Sequence, residues 1–91
     1  MSVSVRIPTI LRPLAGGASE VTVEGVTLAE VIANLDAAAP GIAARVLDDD
    51  GKLRRFVNVY VDDDDVRFAD GLATAVRDGG TVSIIPAVAG G

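Results

Sequence analysis

The residue types of this 91-residue chain restrict its chemistry before any element is assigned. It has no Cys and no His. A disulfide, a Cys/His zinc site and a Ser-His-Asp or Cys-His centre are therefore excluded within it. Carboxylates and glycines remain. The carboxylates gather in two runs, Asp48-Asp49-Asp50-Gly51 and Asp62-Asp63-Asp64-Asp65, and such clusters invite acid–base or calcium chemistry. If Asp50-Gly51 is set at positions five and six of an EF-hand loop, Val46 and Val57 fall where oxygen ligands are required. The second run has no Gly and no later Glu at the right distance. Both read as solvated turns, where Asp is favoured for backbone reasons. Gly16-Gly17 and Gly79-Gly80 lack the flanking residues of a phosphate-binding loop. No metal ligand is expected, and no catalysis by side chains.

Gly90-Gly91 carries a different signal. Read as a true C-terminus, it places a carboxylate at the end of the run Pro86-Ala87-Val88-Ala89. Ala87 to Gly91 spans up to roughly 17 Å when extended. Glycine has no Cβ, so this end suits a narrow channel. A carboxylate becomes electrophilic once adenylated, and a sulfur nucleophile then displaces AMP. That chemistry needs no side chain from the chain that carries it.

The elements that position this end follow from periodicity. Val3, Val5 and Ile7 alternate with polar residues, as do Val21 and Val23, which predicts two strands paired as a hairpin across Pro8, Pro13 and Gly16-Gly17. Thr27-Leu28-Ala29-Glu30 matches a capping box, with Val26 and Val31 as a hydrophobic staple. Leu28, Val31, Ile32 and Leu35 then form one helical stripe, which Pro40-Gly41 ends. Gly41 to Leu47 is expected to hold a short helical turn. The longest strand is expected between Leu53 and Val61, with Val57, Val59 and Val61 on one face and Phe56, Asn58 and Tyr60 on the other. Val66-Arg67-Phe68 reads as a minor strand, Gly71 to Val76 as a helical turn, and Thr81 to Ile85 as the last strand. The order β-β-α-β-(β)-β makes an α+β two-layer domain with one main helix on one sheet face. By parity Phe56 and Ile85 lie on the other face, where an apolar pair marks a partner surface unless a loop covers it.

Composition sets the outer bounds. Hydrophobic residues make up 49%, charged residues 23%, and the net charge is −5. One domain is expected, over residues 1–86, with 87–91 as a flexible tail. The acidic balance repels phosphates, which argues against nucleic acid and for a basic partner. No run is long enough to span a membrane, no signal-peptide pattern is present, and the absence of Cys fits a cytoplasmic location.

Several segments together carry a resemblance. They are Ile7-Pro8-Thr9-Ile10-Leu11-Arg12-Pro13, the helix beginning Thr27-Leu28, Arg55-Phe56-Val57-Asn58-Val59-Tyr60-Val61, Asp64-Asp65-Val66-Arg67-Phe68, and Gly71-Leu72-Ala73-Thr74. The most specific is the ending Pro86-Ala87-Val88-Ala89-Gly90-Gly91. With these, nearly the whole chain resembles the ubiquitin-like sulfur carriers of the β-grasp fold. That family includes the small subunit of molybdopterin synthase, the thiamine-pathway carrier and, most similar here, the actinobacterial carriers for cysteine biosynthesis. The resemblance implies a β-grasp domain with a mixed four- to five-stranded sheet. It implies that an enzyme of the ubiquitin-activating type, using ATP and magnesium, adenylates Gly91 for conversion to a thiocarboxylate. In the cysteine-pathway members a pyridoxal-phosphate cysteine synthase adds the sulfur to O-phosphoserine, and a zinc metallopeptidase releases the product. These cofactors belong to the partners; the carrier is a co-substrate, not an enzyme. Gly90 and Gly91 map directly, and Ala87, Val88 and Ala89 form the tail that enters partner channels.

Two turns depart from the family pattern. Asp62-Asp63 stands where Asn often begins the turn, and Gly80 stands where an acidic residue usually follows Asp-Gly. Both departures weaken assignment to one pathway. Three alternatives stay open: a molybdopterin synthase subunit or shared carrier, a modifier joined to lysine, and a binding module that is never activated.

Overall fold

The computed structural model describes residues 2–86. The expected tail, 87–91, lies outside the described residues. The first alternating segment forms β1 (Ser2–Arg6), which pairs antiparallel with β2 (Glu20–Glu24), Val3 opposite Val23. A 3₁₀ helix (Thr9–Ala15) fills the connection between them. Gly16 closes it at φ 65°, a left-handed backbone that suits glycine.

Helix α1 (Leu28–Ala38) buries the expected stripe of Leu28, Val31, Ile32 and Leu35. Thr27 Oγ1 accepts from the Glu30 N–H at 3.4 Å, so half of the capping box forms. Among the described residues the Glu30 side chain makes no bond back. At the expected staple, Val26 is 47% exposed and its carbonyl accepts from the Val76 N–H at 3.0 Å, beside the Thr27–Ala75 bridge. Gly25 also approaches Val31 closely; a Cβ there would meet Val31 Cγ2 at 2.8 Å. The short helical turn expected after Gly41 is α2 (Ile42–Val46).

The third strand, β3 (Val57–Val61), is shorter than the Leu53–Val61 expectation. Leu53 bridges to Leu47, and the Val57 N–H donates to the Arg54 carbonyl at 3.1 Å, so Arg54 to Phe56 turn before the ladder begins. After Asp62 the chain reverses into β4 (Asp64–Asp65). The minor strand thus falls on the aspartates. Val66–Phe68 is a 3₁₀ turn instead, because the Asp65 carboxylate accepts from the Arg67 N–H at 2.9 Å and caps it. A second 3₁₀ turn covers Gly71–Ala73.

Strand β5 (Thr81–Pro86) runs up the middle of the sheet. The order is β2-β1-β5-β3-β4, with β1 and β5 parallel and the other pairs antiparallel. The result is a mixed five-stranded β-grasp sheet. One face (Val3, Val5, Val23, Val57, Val59, Val61, Val82 and Ile84) joins α1 and the Ile42 and Val46 side chains of α2 in one core. Among the described residues no polar or charged side chain is buried, and no helix is long and apolar enough to cross a membrane.

Candidate functional site

The site begins where the last strand ends. Val57, the first residue of β3, is the partner of Pro86, the last of β5. The segment that precedes β3 therefore flanks the root of the Ala87–Gly91 tail. Ile85 lies opposite Asn58 and alternates away from the buried Ile84, so it stands on the open sheet face at 48% exposure. Phe56 is 63% exposed. Ile85 sits as strand parity places it, whereas Phe56 belongs to the turn before β3 and owes its exposure to that turn; both are exposed among the described residues. Ala87, Val88, Ala89, Gly90 and Gly91, to which the sequence assigned the reactive end, lie outside the described residues.

Two side chains near this root escaped the sequence reading. Phe68 is 91% exposed, a large apolar group in water at the end of the Val66–Phe68 turn. Arg67, beside it, donates from Nη1 to Asn58 Oδ1 at 2.6 Å and from Nη2 to the Arg54 and Val57 carbonyls at 2.6 and 2.8 Å. The signal for both was the short Val66-Arg67-Phe68 segment itself. Treated as a strand, Phe68 would have shared a face with Val66, which is fully buried.

A cleft of about 230 Å³ lies beside Phe56, lined by Asp48, Arg54, Arg55, Phe56 and Val57. Its charges are mixed, unlike the net balance of the chain. Arg54 Nε donates to the Ala44 carbonyl at 3.0 Å, and Asp48 Oδ1 accepts from the Asp50 and Lys52 N–H groups at 2.9 and 3.0 Å. The first acidic run is thus a turn whose leading carboxylate is spent on backbone. A second depression of about 250 Å³ lies on the open face among Arg6, Asp62, Asp63, Arg77, Thr81 and Ser83. There Asp62 Oδ1 accepts from the Thr81 N–H at 3.1 Å and Oδ2 pairs with Arg77 Nε at 3.3 Å. Among the described residues no cluster of acidic side chains is arranged to hold a metal ion.

Among the described residues the arrangement places an exposed Ile on the central strand and an exposed Phe in the neighbouring turn, beside Pro86 where that strand ends.

Comparison with known proteins gives this surface a family. The ThiS family pattern matches residues 5–91. The sulfur carrier protein CysO of Mycobacterium tuberculosis is 57% identical over the whole of both chains. The solved complex of BexX and CysO from Amycolatopsis orientalis contains a chain that superposes with a TM-score of 0.92 at 50% identity, covering 98% of this chain and 99% of that one. Small archaeal modifier protein 3 of Haloferax volcanii is 42% identical over 65 residues, 71% of this chain and 70% of its own. With the β-grasp sheet, the projecting last strand and a match that reaches Gly91, the chain belongs to the ThiS family of ubiquitin-like sulfur carriers.

Proposed function

We propose that this carrier works through the C-terminal carboxylate of Gly91. An oxygen of that carboxylate attacks the α-phosphorus of ATP on a partner enzyme of the ubiquitin-activating type, and pyrophosphate leaves. Hydrosulfide then attacks the acyl carbon; AMP and a proton leave, and a thiocarboxylate remains. Magnesium and ATP are supplied on the partner. The pathway we favour is cysteine biosynthesis: on a pyridoxal-phosphate cysteine synthase the thiocarboxylate sulfur bonds to the side-chain carbon of O-phosphoserine as phosphate leaves, the resulting cysteine stays joined to the Gly91 acyl carbon, and hydrolysis by a zinc metallopeptidase frees it. The carrier is then a co-substrate of these enzymes, working in the cytoplasm. Phe56 and Ile85 are the docking residues, and Ala87 to Gly90 are the tail that reaches into partner channels.

The observation that carries this reading is the full-length match to the mycobacterial CysO carriers. The exposed apolar residues support it, because Ile85 lies on the strand that leads to the tail and Phe56 in the turn beside that strand's end. The likeness to a small archaeal modifier supports a second reading, in which Gly91 is joined to lysine.

Incubation with the activating enzyme, ATP and sulfide tests the proposal on intact protein by mass spectrometry. The expected gain is that of one oxygen-to-sulfur exchange, absent when Gly91 is deleted or followed by one extra residue. An unchanged mass for the intact carrier overturns the proposal. Transfer of the sulfur by cysteine synthase, rather than by molybdopterin synthase, fixes the pathway. High-mass conjugates on a blot select the modifier reading.

A further inference from the structure

Strand β4 covers only Tyr60 and Val61 of β3. On that side the stretch Val57 to Val59 has no neighbouring strand. The Arg67 side chain reaches into this gap. Its guanidinium donates to Asn58 Oδ1 at 2.6 Å, to the Arg54 carbonyl at 2.6 Å and to the Val57 carbonyl at 2.8 Å, with a longer contact to the Arg55 carbonyl at 3.3 Å. A guanidinium presents five donors in one rigid plane, which an ammonium does not. The Arg67 backbone is itself fixed by Asp65. Among the described residues Arg67 pairs with no carboxylate; the one ion pair is Arg77 with Asp62. Its bonds go instead to the turn that carries Phe56. The Arg54 carbonyl that Arg67 holds also closes that turn, by accepting from the Val57 N–H.

We infer that Arg67 is a positioning residue for partner docking: it clamps the Arg54–Val57 turn onto β3, so that Phe56 stands out beside the root of the tail. The inference rests on the reading of Phe56 as a docking residue. An exposed turn with a single large apolar side chain gains by folding that side chain onto its own surface. A turn held open removes this reorganisation from the cost of binding. The clamp also joins the Phe56 segment to the turn bearing Phe68, the most exposed of the large apolar side chains. The partner that fits is therefore an apolar surface next to the entrance of the channel that receives the tail.

Full-length Arg67→Ala, Arg67→Lys, Phe56→Ala and the Arg67→Ala/Phe56→Ala pair are compared in two measurements. The first is steady-state adenylation by the activating enzyme with ATP. Each single alanine variant is expected to raise KM for the carrier about tenfold with kcat unchanged, and the double variant is expected to be no worse than Phe56→Ala alone. The second is amide hydrogen exchange on the free proteins. The Val57 amide is expected to exchange faster in Arg67→Ala, while the Leu35 amide stays protected. Arg67→Lys, which keeps the charge and loses the fork, is expected to follow Arg67→Ala and carries the comparison should that variant fail to fold. Additive losses in the double variant, or unchanged exchange at Val57, overturn the inference. A wild-type carrier that is never adenylated overturns the functional reading instead and leaves the exchange measurement to decide the clamp.

Discussion

Asp62 is the one non-glycine residue with a left-handed backbone among those described, at φ 56°. Asp and Asn tolerate that conformation because their short side chains bond locally. Here Asp62 Oδ1 accepts from the Thr81 N–H and Oδ2 reaches Arg77. The departure from the Asn common in sulfur carriers is thus a substitution within the pair of residues the turn accepts. Asp62→Asn is expected to keep the Thr81 bond and lose only a pair with a largely exposed Arg77, worth about 0–1 kcal/mol. Its thermal midpoint should stay near wild type, whereas Asp62→Ala should lose about 1–2 kcal/mol as the left-handed turn loses its local bond. Gly25 is constrained by space. A Cβ there would sit 2.8 Å from Val31 Cγ2 and 2.9 Å from the Val31 nitrogen. Gly25→Ala is expected to cost about 1–3 kcal/mol in urea unfolding, the range for overpacking a closed site.

At the scale of elements, the α1 stripe and the short turn after Gly41 held, while the Leu53–Val61 strand shortened and the Val66–Phe68 strand became a 3₁₀ turn. The stripe of α1 names its buried residues because a 3.6-residue period over eleven residues has one solution against a sheet. The Val66–Phe68 segment offers three residues and no period, so a local side-chain bond from Asp65 decided it. Helix α2 has the same character. Five residues cannot hold a helix by propensity; Ile42 and Val46 are buried, and the Asp36 carboxylate on α1 accepts from the Gly41 and Ala43 N–H groups at 3.0 and 3.1 Å. The sequence reading did not single out Asp36, since its bonds lie across the Pro40-Gly41 break. Asp36→Ala is expected to cost about 1–2 kcal/mol, as for a lost helix cap. Amide exchange should rise at Gly41 and Ala43, with no change in adenylation kinetics.

For the whole molecule, the described core runs from Val3 to Ile84, and the proposed division leaves residues 87–91 outside it. A chain ending at Pro86 is therefore expected to unfold at the same urea midpoint and with the same slope as the full chain, since slope follows the surface exposed on unfolding. The same truncation should remove thiocarboxylate formation entirely. A fall in the midpoint would mean that residues 87–91 pack on the domain, contrary to the proposed division into domain and tail. Net charge also reads differently at this scale. The −5 balance predicted basic partner surfaces, yet the cleft beside Phe56 includes Arg54 and Arg55 with Asp48. If partners dock there, as proposed, they meet local apolar and mixed-charge groups, and the overall charge acts on encounter at a distance.

Residue type by itself excluded Cys and His chemistry within this chain; the proposal that Gly91 reacts rests on the tail pattern and the family, not on that exclusion. The sequence also determined the helix stripe, the alternating strand faces and the outward parity of Ile85, because periods of 3.6 and 2 are local geometry; Phe56 is exposed by the turn before β3 instead. Only the tertiary structure decided that β5 runs between β1 and β3, so that Val57 sits against Pro86 and the Phe56 turn lies beside the end of β5. Strand order depends on contacts between residues far apart in the chain, and no local pattern encodes it. The same holds for Arg67: its acceptors lie nine to thirteen residues away and become neighbours only because a two-residue strand leaves one edge of β3 open.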